Sequence, residues 1–498
     1  MNFQTIPEGI RVPLFYAEVD NSMANTGANV LRVLLIGQML STGMATPMKP
    51  VLVSTADSGK KLFGRGSVLA IMNEKFRLQN SFTEVWAIPL NEPANGAKAS
   101  GTFTFTGETS ESGTIYAYIG ATAVTANVQS GTTAVAVAQA VAAAINGKPD
   151  LPVTAKATES EEKGIVTIEA KNVGTIGNEI KISVNYFGYQ SSEELPDGIA
   201  VEVSQMAGGT GPVDVDGLAD VIKDDPYEFI ALPYPDSGVL EKMRLIMNDK
   251  TGRWSPFKQL YGHVFTSLRG TAETLSTFGK TLNDQHLTID GFESTSPNTN
   301  FERLGAYVGQ VSLAITNDPA RPLQSLELLG ITQPKPGERF TLTEQQTLLT
   351  SGIGATTVSG NAVRITRAVT TYQQNSFGDP DTSYLDSETL FTLAYIIRQL
   401  RSIITSKYPR HKLGNDGTRY AMGQPIVTPK VIRAEIIGMY KDLESQGLVE
   451  NSALFEKYLI VQRNQNDPNR LDVLLPPDLI NGLRIFAVLA QFRLQYNE

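Results

Sequence analysis

Between Ala97 and Ala207 the chain changes character: it holds two leucines (Leu151 and Leu195), no arginine, tryptophan or histidine, and an abundance of Gly, Thr, Ala, Ser and Val. A shift of that size marks a separate domain, so the polypeptide is expected to fold in parts, with this part inserted into the rest. Alternating apolar and polar residues predict strands over Thr102–Thr106, Thr114–Ile119, Val166–Ala170 and Ile180–Asn185, with Gly and Asn between them. One helix is predicted over 132–146, where Val137, Val141 and Ile145 fall four apart on one face and Asn146–Gly147 gives the stop. Twelve carboxylates against six lysines place −6 of the chain's formal charge of −9 in this stretch. It reads as a β-rich, outward-facing insertion over 97–207.

The preceding residues are organised differently. Gly9–Asp20, GIRVPLFYAEVD, is rich in β-formers, and Pro13 confines it to a sheet edge or an arm. No hairpin partner lies beside it, so its apolar residues Val12, Leu14, Phe15, Tyr16 and Val19 must find their contacts elsewhere. Small polar residues over 21–29 complete an N-terminal arm and linker, 1–29. Strands over Val30–Gly37, Val51–Val53 and Val85–Ile88, with a helix over Val68–Arg77, give an α/β segment across 30–96.

After GGTGP (208–212), helical and extended pieces alternate: helices over Val215–Lys223, Val239–Asn248 and Ala272–Leu282, strands over Glu228–Leu232, His263–Leu268 and His286–Gly291. That rhythm predicts a main α/β domain over 208–360. The remaining domain, 361–498, centres on Ser383–Tyr420. Leu390, Leu393, Ala394, Ile397, Leu400 and Ile404 recur at spacings of three and four, so an amphipathic helix is expected from about Glu388 to Lys407, capped by Asp386 or Ser387 and ended before Pro409. A second helix is predicted over Thr428–Ser445, with Pro429 in its first position and Gly447 beyond its end. Lys457–Arg463 and Leu483–Tyr496 read as strands. In the last, Phe486, Val488, Phe492, Leu494 and Tyr496 share one face, again with no partner adjacent in sequence.

From Arg398 to Lys412 the chain carries Arg398, Arg401, Lys407, Arg410 and Lys412 and no carboxylate. A basic block on an acidic protein favours an acidic neighbour; the blander reading is a set of hydrated cations near a helix C-terminus. The overall charge argues against nucleic acid as a partner. The absence of cysteine excludes disulfides, thiolate metal sites and a thiol nucleophile. The three histidines, His263, His286 and His411, offer little material for general-base or zinc chemistry. Gly279–Lys280–Thr281 lacks the glycine five residues earlier that a phosphate loop requires, and Gly208–Gly211 lacks GxGxxG spacing and reads as a hinge. The acidic ESEEK (159–163) reads as a solvated loop. No catalytic residue, metal site or cofactor is expected. The longest apolar runs, Val30–Gly37 and Ile485–Ala490, are far short of the roughly 20 residues that span a membrane, and MNFQTIPEGIRVPLFYAEVD carries no signal-peptide pattern.

TTYQQNSFGDPDTSYLDSETLFTLAYIIRQLRSIITSKYPRHKL (370–413) and DGTRYAMGQPIVTPKVIRAEIIGMYKDLESQGLVEN (416–451) closely resemble the C-terminal half of tail sheath proteins of Mu-like contractile-tailed bacteriophages. The likeness continues through DPYEFIALPYPDSGVLEKMR (225–244), GRWSPFKQLYGHVFTSLRGT (252–271), NDPARPLQSLELLGI (317–331) and RLDVLLPPDLINGLRIF (470–486), covering nearly the whole chain. The resemblance implies an α/β and α+β multidomain fold with a subtilisin-like main domain and terminal β-strand arms. It implies a structural, non-catalytic virion subunit, assembled in the host cytoplasm, that stacks as hexameric rings around a tail tube and contracts to drive the tube through the host envelope. Its partners would be copies of itself, the tube protein, and the baseplate and tail terminator proteins. Arg398, Arg401, Lys407, Arg410 and Lys412 would then include tube-facing cations. A receptor-binding or decorating virion protein is the alternative, distinguished by assembly that survives loss of 1–20. A degenerate hydrolase would instead show turnover lost on mutating His263 or His286.

Overall fold

The computed structural model describes residues 31–493. The predicted N-terminal arm with Val12, Leu14, Phe15, Tyr16 and Val19, and the predicted contact residues Leu494 and Tyr496, lie outside the described residues. The chain divides into two compact units, one of Leu31–Thr392 with the chain from Asn481 onward, the other of Leu393–Ile480.

The large unit opens with β1 (Arg32–Gln38), β2 (Val51–Leu52), α1 (Ala56–Phe63), α2 (Val68–Gln79) and β3 (Glu84–Leu90). The insertion follows as β4 (Ser100–Gly107), β5 (Gly113–Ile119), β6 (Thr122–Val128), α3 (Ala134–Asn146), β7 (Val153–Ser160), β8 (Lys163–Ala170), β9 (Ile182–Val184) and β10 (Ile199–Ala207). The main body resumes with α4 (Leu218–Ile222), β11 (Phe229–Ala231), α5 (Ser237–Met247), β12 (His263–Gly270), α6 (Ala272–Gly279), β13 (Leu287–Glu293), α7 (Asn300–Asn317), α8 (Leu342–Thr350), β14 (Ala355–Ser359) and β15 (Ala362–Arg367).

Six of these strands form one sheet in the order β13-β12-β11-β1-β3-β2, parallel except for β2. Segments 30–96 and 208–293, far apart in sequence, therefore share one sheet and its cores. In β1, Val33 and Leu35 face one buried cluster while Leu34 and Ile36 face another, which is why the strand reads as a continuous apolar run. Against the first face pack α2 and α7. A Cβ on Gly305 of α7 would lie 2.3 Å from the Met72 carbonyl oxygen, and one on Gly309 2.8 Å from that of Phe76. Only glycine permits this approach.

The insertion has its own core, built from Phe103, Phe105, Val137, Val141, Ile145, Val166 and Ile168 among others. Its strands form two sheets, β10-β4-β8-β7 and β6-β5-β9, with α3 packed against them. Ala97 and Thr210 exchange backbone hydrogen bonds of 3.0 and 3.1 Å, so the two connecting segments run side by side. Asn172 ties the insertion to the sheet, accepting from the Val68 amide at 3.0 Å and donating to the Met39 carbonyl at 3.1 Å. The ESEEK stretch is the β7–β8 turn, in which Glu161 and Glu162 take φ of 53° and 64°.

The small unit holds most of α9 (Ser387–Lys407), followed by β16 (Lys412–Leu413), β17 (Ile426–Val427), α10 (Pro429–Ser445), α11 (Ser452–Tyr458), β18 (Ile460–Arg463) and β19 (Leu471–Leu474). Two sequence expectations are corrected here. Lys457–Arg463 is not one strand, because α11 runs to Tyr458 and the paired strand begins only at Ile460. Over 483–493 no strand forms, since these residues find no ladder partner among the described residues.

Candidate assembly surfaces

The C-terminal segment leaves the large unit with its apolar side chains uncovered. Ile485, Phe486, Val488, Leu489 and Phe492 are 80%, 82%, 69%, 85% and 86% exposed. Burying such side chains contributes about 1.5–3 kcal/mol each, so a contiguous exposed set marks an interaction segment. Phe486, Val488 and Phe492, singled out by alternation, are part of this set. Ile485 and Leu489 were missed, because uncovered backbone without a ladder imposes no two-residue period.

The small unit carries a complementary deficiency. β18 and β19 pair only with each other, in the register Ile460↔Leu474 to Arg463↔Leu471, leaving both edges open among the described residues. A two-stranded ladder is marginal in water, and open edges are templates for further strands. Ile460, Val473 and Leu474 are 48%, 39% and 58% exposed on it. The hairpin stands on a built base: Tyr440 of α10 stacks on Phe455 of α11 at 3.6 Å, donates to the Glu450 carbonyl at 2.7 Å and accepts from the Asp478 amide at 3.0 Å. Sequence reasoning missed β19, whose LDVL lacks a run of β-branched residues.

The basic block is not uniform. Arg401, Arg410 and Lys412 are exposed, and Arg398 is partly buried. Lys407 is engaged by Glu435 of α10 at 2.6 Å, which, together with the Tyr408 hydroxyl, holds that carboxyl below its ordinary range. Asp386, expected as a cap of α9, directs its carboxylate instead to Arg367, in two hydrogen bonds of 2.7 and 2.8 Å.

The titratable groups of the sheet are built into its core. His263 Nε2 lies 2.8 Å from Thr288 Oγ1, with the ring between Phe265 and Phe391. Burial, and secondarily the nearby His286, holds its pKa well below 6.5. The unfolded chain binds a proton where the folded chain does not, so stability is full above 6.5 and declines as pH falls below it. Thermal melts at about pH 7.5 and about pH 5.5 should show a smaller acid loss in His263→Asn than in wild type; equal losses would rule out this cause. His286 Nε2 bonds Asp249 Oδ1 at 2.9 Å and its ring stacks on Trp254. Gly279–Lys280–Thr281 sits at the C-terminal end of α6, the wrong polarity for phosphate, and a Cβ on Gly279 would lie 2.1 Å from the Ser351 carbonyl oxygen. Among the described residues no group of three or more His, Cys, Asp or Glu is placed to hold a metal, and no helix is long and apolar enough to cross a membrane.

Residues 208–371 match the family described as the phage tail sheath protein central domain, and residues 379–493 the phage tail sheath C-terminal domain. The chain is 37% identical over 495 residues to the Mu-like prophage FluMu tail sheath protein of Haemophilus influenzae, covering 99% of each. Among solved structures, a chain of the anti-feeding prophage baseplate, determined by cryo-electron microscopy, matches with a TM-score of 0.51 at 9% identity, covering 97% of this chain and 100% of that one. The crystal structure of the sheath tail protein from Desulfitobacterium hafniense gives 0.48 at 13% identity, covering 95% and 97%.

Proposed function

This chain belongs to the phage tail sheath family, a family of structural tail proteins, and from that premise we propose that it polymerises by exchanging terminal strands between copies and contracts as a helical array of stacked hexameric rings. The observation that carries the proposal is the pairing of two deficits in one chain: an uncovered apolar C-terminal arm and a two-stranded hairpin with open edges. A strand added to β18 or β19 gains main-chain hydrogen bonds irrespective of side chain, while Ile485, Phe486 and Leu489 gain burial. The N-terminal residues Val12, Leu14, Phe15, Tyr16 and Val19 are proposed as the second exchanged strand. The main domain is proposed to follow the subtilisin-like outline of the family.

Contraction by such an array requires no fuel site. A lattice trapped in an extended form can relax to one with more buried contact, each copy supplying a few kcal/mol. The tail tube is proposed as the inner partner, met by Arg401, Arg410 and Lys412 and to a lesser degree by Arg398 and Lys407, the latter already held by Glu435. Baseplate and terminator proteins would close the ends, the particle being a virion tail assembled in the host cytoplasm. Negative-stain microscopy of the purified chain tests the proposal: hollow striated cylinders are expected, and dispersed monomers at all concentrations would refute it. Cosedimentation with tube should fall on reversing the charge of Arg401, Arg410 and Lys412 together, and an unchanged pellet at low salt would reassign them as hydrated surface cations.

A further inference from the structure

The C-terminal arm does not simply trail from the large unit. Gly482 lies so close to Pro322 that a Cβ would come within 2.4 Å of its Cγ. Gln324 then holds the next two residues, its Nε2 donating to the Leu483 carbonyl at 3.2 Å and its Oε1 accepting from Arg484 Nη1 at 3.2 Å. Arg484 also reaches Asp386 at 3.3 Å and pairs with Glu388, both at the start of α9, while Asp386 is held from the other side by Arg367. Only 14% of the Arg484 side chain and 8% of that of Glu388 is exposed. This is a partly desolvated, multiply bonded cluster, in which contacts are stronger than in a surface pair. The very next residue, Ile485, is 80% exposed.

We propose that Arg484 is a positioning residue for assembly: its clasp fixes where the arm departs, so that residues from Ile485 onward are donated while residues up to Arg484 stay with the donor. The inference rests on the strand-exchange reading above. Fourteen residues follow Arg484, enough to reach about 45 Å when extended. A tethered strand meets its acceptor at an effective concentration that falls when its root swings, and it transmits pull only if that root is held. The clasp supplies both conditions, carrying load from the arm into α9 and, through Arg367, into β15.

Trypsin reads the clasp directly, because only 14% of the Arg484 side chain is exposed whereas Arg493 is exposed to solvent. In the unassembled wild-type chain, cleavage after Arg493 is expected to be about tenfold or more faster than after Arg484, followed by mass spectrometry. In Asp386→Asn/Glu388→Gln the two rates should approach within about threefold, and Gln324→Ala gives a second route should that variant fold poorly. Equal rates in wild type would overturn the clasp. In assembly, Arg484→Gln, assayed below its own melting temperature, should lower the yield of cylinders by about tenfold, with Arg484→Lys recovering part of it. Wild-type yields from Arg484→Gln would overturn the proposal while leaving strand exchange standing. Failure of wild type itself to form cylinders would overturn both.

Discussion

Deleting residues 485–498 is expected to abolish cylinder formation while leaving the melting temperature of the folded chain within about 2 °C of wild type. The second half of that expectation follows from exposure: Ile485, Phe486, Val488, Leu489 and Phe492 are mostly exposed and contribute little buried surface to their own chain. The first half follows from multiplication. If burial of Phe486 in a neighbour contributes about 2 kcal/mol, Phe486→Asp alone should raise the concentration needed for assembly roughly thirtyfold, and loss of the whole arm removes every such contact together with its main-chain hydrogen bonds. Sedimentation and negative stain measure both outcomes. Cylinders from the truncated chain would show that the arm is dispensable and that the lattice is joined some other way.

The second large effect lies in the core. Arg303 of α7 and Asp290 of β13 are each fully buried; the guanidinium meets the carboxylate at 2.9 and 3.3 Å, bonds Thr356 Oγ1, and lies over the Phe292 ring at 4.7 Å. Burial pushes the Asp290 carboxyl above its ordinary value and the guanidinium pulls it back. Arg303→Met leaves a buried carboxylate without its counter-charge and is expected to cost about 3–5 kcal/mol by chemical denaturation. Asp290→Leu/Arg303→Met should recover most of that loss, because the penalty belongs to the orphaned charge. The single variant carries its own pH signature. A carboxyl whose folded pKa is raised favours the folded state at low pH and loses that advantage as pH rises, so the gap to wild type should be smaller at about pH 5 than at about pH 8. A single variant within about 1 kcal/mol of wild type would mean that Asp290 finds another partner or takes a proton at no cost.

How much of this was legible beforehand depended on which physical signal each element leaves. The strands β1, β3, β11, β12 and β13 and the helices α2, α3, α5, α9 and α10 were readable because each has a one-sided or continuous apolar pattern with capping or breaking residues at its ends. α7 was not. Thirteen of its eighteen residues are buried, including Asn300, Glu302, Arg303 and Ser312, so no polar face alternates with an apolar one. Its visible signal was the Thr299–Glu302 capping box. Arg303 itself looked like any surface arginine, since a buried charge is recognisable only from its partner thirteen residues away.

Local patterning therefore determined the identity of most elements, the compositional seam around the insertion, and the presence of an apolar, unpaired C-terminal stretch, because these depend on residues near one another in the chain. Tertiary structure decided that residues 30–96 and 208–293 share one sheet, that Lys407 answers to Glu435, and that the arm is held at Arg484 by groups about a hundred residues upstream. Those are pairings across loops, and their free energy comes from desolvation and charge at a contact that a linear pattern does not contain.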